Sequence, residues 1–342
     1  MELAIEIKQL TKVYDGKVNA LDGVDLAVKA AGIFALLGPN GSGKTTLMRV
    51  LTTQFRPTSG TARAFGYDVV ADDANVRKII GYVPQEMSVW TDITGFENLL
   101  IYAKIYGVPS SIRKKNIEDA LQSMGIEDVA GKTVKKYSGG MIRRLEIACA
   151  LLVKPRIIFL DEPTLGLDPS ARKAVWENLI SFKSEYGTTV FFNTHYMDEA
   201  DLYSDEVAII NKGKIVKSGT ASELKRSLHS EIISMSLAKG KACPLFSSFD
   251  ADAGAALERR QFRIMEKVKA LHWVEDAFLH DGQLELAVED GEVALPGIMD
   301  ALRDEDIFVE RIKIKKPTLD DVFLKYAGMR PNERDDHRQK AA

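Results

Sequence analysis

The sequence predicts an α/β core built on a parallel sheet, followed by a smaller α+β domain. A glycine-rich loop at 38–46 lies between an apolar run at 33–37 and a helical pattern, which is a strand–loop–helix order. A further apolar run, at 156–160, is typical of a strand buried on both faces of a parallel sheet, and another strand is predicted at 188–194. From about residue 223 the predicted elements follow in the order β-α-β-β-α-β, which indicates a ferredoxin-like domain.

Length and composition fit two soluble domains. The chain has 342 residues, 45% of them hydrophobic. We expect a first domain over 1–222 with a helical insert at about 90–140, an accessory domain over 223–328, and a disordered tail over 329–342. The net charge of −3 provides no field that would recruit nucleic acid, so we expect no nucleic-acid partner. Two cysteines form no disulfide framework, which is typical of a reducing compartment.

Alternating apolar residues near the start predict an antiparallel flank to the core. The alternation runs over 3–7, ends in a turn at Asp15 and Gly16, and returns at 24–28. Tyr14 lies beside the turn, where its ring is either a packed turn residue or a free face that stacks on a purine. We expect no signal peptide and no membrane-spanning helix, so any membrane role would need a partner.

The loop that follows the first core strand matches the phosphate-binding pattern G-x-x-x-x-G-K-[ST]. It consists of Gly38, Pro39, Asn40, Gly41, Ser42, Gly43, Lys44, Thr45 and Thr46. Its glycines let successive N–H groups point inward and form an anion nest at a helix N-terminus. Lys44 would reach the β- and γ-phosphates, and the Thr45 hydroxyl would ligate Mg²⁺. The sequence therefore predicts a site for a nucleoside triphosphate.

A helical insert separates two strands of the predicted core. A short strand near 79–83 ends before Gln85, which is left in a loop. Thr94 and Glu97 match a capping box that opens one helix, and a second helix follows from about 112 to 124.

Several polar residues then follow in an order that indicates which side chains meet the nucleotide. Gln85 follows one strand, Ser138-Gly139-Gly140 begins a helix, Asp161 and Glu162 end a second strand, and His195 ends a third. The C-terminal ends of parallel strands gather at one edge of a sheet, where ligands bind. We therefore expect the residues at these strand ends to converge on the nucleotide.

On these motifs, the chain resembles the ATP-binding subunit of an ABC transporter over about residues 3–218. The resemblance implies a P-loop NTPase core of the ABC ATPase type. Its motifs are matched by Gly38–Thr46 (Walker A), Tyr14 (the adenine-stacking aromatic), Gln85 (Q-loop), Ser138-Gly139-Gly140 (signature), Asp161 (Walker B), Glu162 (catalytic glutamate), Gly166-Leu167-Asp168 (D-loop) and His195 (switch histidine). The signature departs from the usual pattern, with Tyr137 in place of Leu and Met141 in place of Gln.

The resemblance also implies how these residues act. Three residues would be catalytic: Glu162 would orient the attacking water, His195 would contact the γ-phosphate, and Gln85 would sense both Mg²⁺ and the γ-phosphate. Asp161 would hold Mg²⁺ through water. The signature offers a second phosphate cradle in the same chain, in addition to the P-loop. Two cradles make sense if ATP is sandwiched between two subunits, so we expect a homodimer or a dimer with a paralogue.

The segment 316–324 points to one group within that family. It resembles the ending of the drug-exporter ATPases of the daunorubicin-resistance group, as do Met141 and the residues 143–146 after the signature. This implies an integral membrane permease as partner and a peripheral position on the cytoplasmic face of the cell membrane. Two alternatives remain. A soluble ABC ATPase acting on ribosomes or DNA would have paired cassettes, a coiled coil or a basic face, and an importer subunit would often end in a β-barrel.

The insert is the part expected to contact the permease. It lies between Gln85 and Ser138, so a partner that binds it would respond to the arrival of ATP. We define the loop from Glu86 to Thr91 as the docking loop and expect Met87 and Trp90 to be exposed on it.

Overall fold

A computed structural model describes residues 2–228, 231–237, 265–280, 283–304, 307 and 309–327. The chain divides into two compact units, Met1–Ala221 together with Phe323–Ala342, and Ser222–Val322. The tail expected at 329–342 and the loop or weak helix expected at 238–256 lie outside the described residues. The domain boundaries drawn from the sequence stay a prediction.

The first unit contains ten strands and seven complete α-helices among its described residues. The strands are β1 (Leu3–Tyr14), β2 (Val18–Lys29), β3 (Ile33–Leu37), β4 (Ser59–Ala64), β5 (Tyr67–Asp68), β6 (Ile80–Val83), β7 (Ile157–Asp161), β8 (Thr189–Thr194), β9 (Glu206–Asn211) and β10 (Lys214–Gly219). The α-helices are α1 (Lys44–Leu51), α2 (Asp73–Ile79), α3 (Gly95–Ile105), α4 (Ser110–Ser123), α5 (Gly139–Leu151), α6 (Pro169–Tyr186) and α7 (Met197–Tyr203). A further helix, α8 (Ala221–Arg226), has all but its first residue in the second unit.

Two sheets pack around one core in this unit. The antiparallel sheet has the order β2-β1-β4-β5, which confirms the predicted flank. The second sheet has the order β10-β9-β3-β8-β7-β6, and its five strands other than β10 are parallel. Apolar side chains from both sheets and from α1 form a common core, as shown by Leu10, Leu47 and Phe159.

The parallel sheet aligns the ends of its strands. Every residue of β3, β7 and β8 is buried, and the continuous apolar run of β7 predicted its burial. β7 pairs with both β6 and β8, with Asp161 opposite Asn193 in the register. The segments that follow β3, β6, β7 and β8 therefore leave the sheet at the same edge, and each of them carries a predicted site residue.

The insert has the two predicted helices. The capping box at the start of α3 is present: Glu97 N donates to Thr94 Oγ1 at 3.1 Å, and Thr94 N donates to Glu97 Oε2 at 2.8 Å. α4 begins at Ser110, two residues before the predicted start.

The second unit contains a four-stranded antiparallel sheet. Its strands are β11 (Glu231–Leu237), β12 (Val274–His280), β13 (Gln283–Val288) and β14 (Val309–Lys315), in the order β12-β13-β11-β14. Residues 265–269 are helical, and α9 (Gly291–Arg303) follows β13. This order confirms the ferredoxin-like prediction. A last helix, α10 (Leu319–Ala327), is the final element that the structure describes.

None of the helices among the described residues combines the length and the apolar character that a membrane span requires.

Candidate nucleotide site

The glycine loop between β3 and α1 is so closely packed that two of its positions exclude a side chain. Gly43 has φ +109°, and a Cβ there would clash with the Ala20 carbonyl oxygen. A Cβ at Gly38 would clash with the Ile210 carbonyl oxygen. Only glycine fits both positions, so the backbone itself forms the surface that a ligand would meet.

The Lys44 ammonium lies against this loop. Its Nζ donates to the Gly38 carbonyl at 2.6 Å and to the Pro39 carbonyl at 3.2 Å. Burial lowers the pKa of Lys44, while the carboxylates of Glu162 and Asp161 act in the opposite direction. A buried lysine side chain is therefore held at the start of α1, close to two consecutive acids at the end of β7.

One buried hydroxyl in the loop has no partner. Ser42 Oγ is buried and makes no hydrogen bond with any described residue, although buried hydroxyls are normally paired. Its neighbours are the loop N–H groups and the N-terminus of α1, where anions are favoured. An orphaned donor, a bare glycine backbone and the Lys44 cation fit the phosphate chain of a nucleotide.

Tyr14 lies at the end of β1, close to the same helix start. Its hydroxyl is 3.4 Å from Thr46 Oγ1, and its ring meets Phe55 edge-on with 6.0 Å between centroids. Lys12 Nζ lies 5.3 Å from the ring centroid. The ring is half-buried, so part of it stays free, and its stacking on a purine stays a prediction.

Asp161 ends β7 as a buried carboxylate. Its Oδ1 accepts a hydrogen bond from Asn193 Nδ2 at 2.7 Å. Burial raises the pKa of Asp161, and the hydrogen bonds and Lys44 work against that rise. Lys44 and Thr45, at the start of α1, thus lie close to Asp161 at the end of β7.

Glu162 follows in a rare backbone conformation. Its φ is +49°, and a left-handed conformation of a residue other than glycine costs about 1–3 kcal/mol. Glu162 Oε2 lies 2.9 Å from His195 Nδ1. This hydrogen bond, despite partial burial, lowers the pKa of Glu162, so its side chain is held as a carboxylate.

Asn193 is a site residue that the sequence analysis missed. It is fully buried in β8, and its amide bridges the two acids: Nδ2 donates to Asp161, and Oδ1 accepts from the Glu162 N–H at 2.8 Å. The available signal was an amide in a strand that is otherwise apolar at its centre. Buried amides of this kind are retained where their hydrogen bonds fix other groups.

The remaining predicted residues lie on exposed segments. Gln85 is exposed and follows β6 directly, beside the end of β7. Ser138 caps α5, with its Oγ accepting from Met141 N at 3.3 Å, and it is exposed together with Gly139. Asp168 caps α6, and its Oδ1 accepts hydrogen bonds from Ser170 N at 2.9 Å and Ala171 N at 3.0 Å. Helix capping alone would therefore explain an aspartate at this position.

The starts of α5 and α6 are neighbours. A Cβ at Gly139 would lie 3.9 Å from Leu167 Cδ2, and one at Gly140 would lie 2.8 Å from Ala171 Cβ. The predicted site residues therefore form two groups, each held together by its own contacts. The first group consists of Lys44, Thr45, Asp161, Glu162 and His195, and the second of the signature and D-loop segments.

Comparisons with known proteins match both parts of the chain. Residues 21–165 match the ABC transporter family, and residues 219–327 match the C-terminal domain of ATP-binding proteins like DrrA1-3. The chain is 35% identical over 331 residues to the daunorubicin/doxorubicin resistance ATP-binding protein DrrA of Streptomyces peucetius. The alignment covers 97% of this chain and 94% of that protein.

Two solved structures are similar to a large part of the chain. The first is cbiO1 from Clostridium perfringens, described as part of an ABC transporter complex, with 26% identity and a TM-score of 0.61 over 67% of this chain and 95% of that one. The second is an ATP-binding cassette in a dimeric post-hydrolysis state with ADP and Pi, with 28% identity and a TM-score of 0.57 over 63% of this chain and 98% of that one.

Proposed function

The chain belongs to the ABC transporter ATP-binding proteins of the daunorubicin/doxorubicin resistance type, and we propose that it drives drug export through a separate integral membrane permease. Binding and hydrolysis of ATP are the activity of this family. The observation that carries the exporter assignment is the DrrA-like match over residues 219–327, since relatives that align along almost the whole chain are named for drug resistance.

The site suits Mg²⁺ bound together with ATP. Mg²⁺ keeps several waters and usually takes only one or two protein ligands besides the phosphates. The Thr45 side chain acts on the pKa of Asp161, so two suitable oxygens lie near each other. Thr45 and Gln85 would be the protein ligands, and Asp161 would hold the ion through water. When bound, the ion neutralises charge on the phosphate oxygens.

The catalytic work of this chain falls to two side chains. Glu162, held as a carboxylate, accepts a hydrogen bond from the attacking water and orients it. His195 uses Nδ1 for Glu162, which leaves its other ring nitrogen to contact the γ-phosphate. Lys44 supplies the positive charge on the β- and γ-phosphates.

A second subunit would complete the site. The exposed N-terminus of α5, with Ser138 and Gly139, suits a γ-phosphate held by the P-loop of the partner. Asp168 lies on the neighbouring helix start and would take part in the same interface. The partner is a second copy of this chain or a paralogue, and the dimeric state described for a similar ATP-binding cassette supports this arrangement.

We propose that the docking loop, Glu86–Thr91, binds the permease on the cytoplasmic face of the cell membrane. Met87 and Trp90 are 59% and 47% exposed, as the sequence predicted. The Trp90 ring lies 5.7 Å from the Tyr102 ring, which lies 6.0 Å from the ring of Tyr106. These aromatic rings form a continuous strip on the insert, whereas Leu99 is fully buried inside it.

Trp90→Ala is expected to abolish most drug transport while the ATPase rate of the isolated subunit stays within twofold of wild type. The substitution removes the exposed ring from the docking loop and leaves the phosphate site untouched. The measurement is drug uptake into inverted vesicles that contain the permease, with co-purification of the two subunits. Leu202→Ala is the control, since Leu202 is an exposed apolar residue on α7. Unchanged transport by Trp90→Ala would place the docking site elsewhere.

Asn193→Ala is expected to lower ATP turnover by roughly tenfold or more, because a hydrogen bond to a charged group is worth about 1.5–3 kcal/mol. The loss would fall on turnover because Asn193 fixes Asp161 and the Glu162 backbone. Thr189→Val is the control: Thr189 is buried at the other end of β8, where its Oγ1 accepts from Ala31 N. Steady-state kinetics measure the turnover of both variants, and thermal melting measures their stability. Equal turnover losses in both would mean that Asn193 only stabilises the strand.

A further inference from the structure

Arg143 and Glu146 form a buried ion pair on α5 that the proposed chemistry does not use. Arg143 Nη1 lies 2.9 Å from Glu146 Oε2, and the two side chains are only 9% and 4% exposed. Removing two charges from water costs several kcal/mol per ion unless further hydrogen bonds satisfy them. The hydrogen-bond partners of Arg143 and Glu146 therefore show which parts of the chain this buried pair holds in place.

One side of the pair holds the turn that carries Glu162. Arg143 Nη2 donates to the Asp161 carbonyl at 2.8 Å and to the Glu162 carbonyl at 3.2 Å. Arg143 Nε donates to the Pro163 carbonyl at 2.8 Å. A planar guanidinium thus fixes three consecutive carbonyls around the residue with the strained φ angle.

The other side holds both ends of the Gln85 segment. Arg143 Nη1 donates to the carbonyl of Pro84 at 2.8 Å. Glu146 Oε1 accepts from Ser88 N at 2.6 Å and from Ser88 Oγ at 3.1 Å. The three residues between these points, 85–87, are exposed. The same ion pair therefore fixes the backbone on either side of Gln85.

The docking loop continues from Ser88 into the insert. The Ser88 carbonyl accepts a hydrogen bond from the Tyr102 hydroxyl. Trp90 N donates to Asn98 Oδ1 at 2.8 Å, and Asn98 Nδ2 donates to the Trp90 carbonyl at 2.9 Å. An unbroken path of hydrogen bonds thus runs from the exposed aromatic strip to the turn that carries Glu162.

We propose that the Arg143–Glu146 pair is a positioning unit that sets Gln85 and Glu162 relative to each other and couples the docking loop to turnover. Its contribution to turnover depends on this chain alone. Its contribution to coupling rests on the proposed function, because it requires a membrane subunit on the docking loop. A displacement of Ser88 would move Glu146, and through Arg143 the carbonyls on both sides of Glu162.

The test separates positioning from plain stabilisation. Arg143→Lys keeps the charge but loses the planar fork. The double variant Arg143→Met, Glu146→Leu replaces the pair with apolar side chains, an exchange that buried ion pairs often tolerate without loss of stability. Arg113→Lys is the matched control, since Arg113 lies on α4 and its guanidinium donates through Nε and Nη2 to the Val108 carbonyl, at 3.1 and 2.8 Å, away from the site.

We expect both Arg143 variants to lose at least tenfold in kcat, with the ATP dissociation constant within threefold of wild type and the Arg113 control unaffected. In vesicles that contain the permease, the permease should change the ATPase rate of wild type but not that of the Arg143 variants. A double variant with wild-type kcat would overturn the inference, as would a kcat loss that only parallels a lower melting temperature. The kcat measurement uses the isolated full chain, so it decides the positioning role even if no permease effect is found in wild type.

Discussion

Glu162→Gln is expected to lower ATP turnover by a factor on the order of 100 or more, the range that a positioned base contributes, while ATP binding is kept. The amide has the shape of the carboxylate but cannot accept a proton or carry charge. Its hydrogen bond to His195 Nδ1 would be weakened, since a charged acceptor is replaced by a neutral one. The glycine loop and Lys44 stay as they are, so the phosphates still have their cradle.

The expected consequence is a dimer that ATP holds together. Gel filtration with and without ATP measures it, and steady-state kinetics measure the turnover. Glu127→Gln, a change at an exposed glutamate on a short 3-10 helix of the insert, is the control and should behave as wild type. Wild-type turnover by Glu162→Gln would remove Glu162 from the catalytic role.

The parts of the site that could be predicted from sequence are those with local patterns. The P-loop, the signature and the acids at the end of β7 are each defined by neighbours in sequence, so their spacing alone is informative. Asn193 and Arg143 are different, because their partners lie far away in sequence. Arg143 meets Pro84, 59 residues distant, and Asn193 meets Asp161, 32 residues distant. Only the sheet register and the packing of α5 bring these groups together.

The fold shows the same division. The capping box and the apolar runs of β7 and β8 have strong local patterns, and they were predicted. β4, β5 and α2 were not. β4 buries only two small residues, Ala62 and Ala64, and β5 has two residues in all. α2 has seven residues and buries only Val76, so its apolar periodicity is too weak to indicate a helix.

Lys44→Ala is expected to weaken ATP binding by roughly tenfold to a hundredfold, because a charge-assisted hydrogen bond contributes about 1.5–3 kcal/mol. The effect should fall on binding as well as on turnover, in contrast to Glu162→Gln. Burial lowers the pKa of Lys44, which means that the folded state without nucleotide disfavours the charged form. The charge therefore adds little to the stability of that state, and the melting temperature of Lys44→Ala without ATP should be close to that of wild type.

Titration with a fluorescent ATP analogue, followed by thermal melting with and without ATP, measures both effects of Lys44→Ala. Lys173→Ala removes a largely exposed lysine on α6 and serves as the control for the loss of one positive charge. In wild type and in the control, ATP should raise the melting temperature, since a ligand that binds only the folded state stabilises it. In Lys44→Ala that rise should largely disappear at the same ATP concentration. Equal affinity and an equal rise in all three proteins would show that Lys44 rests on the Gly38 and Pro39 carbonyls without contributing to phosphate binding.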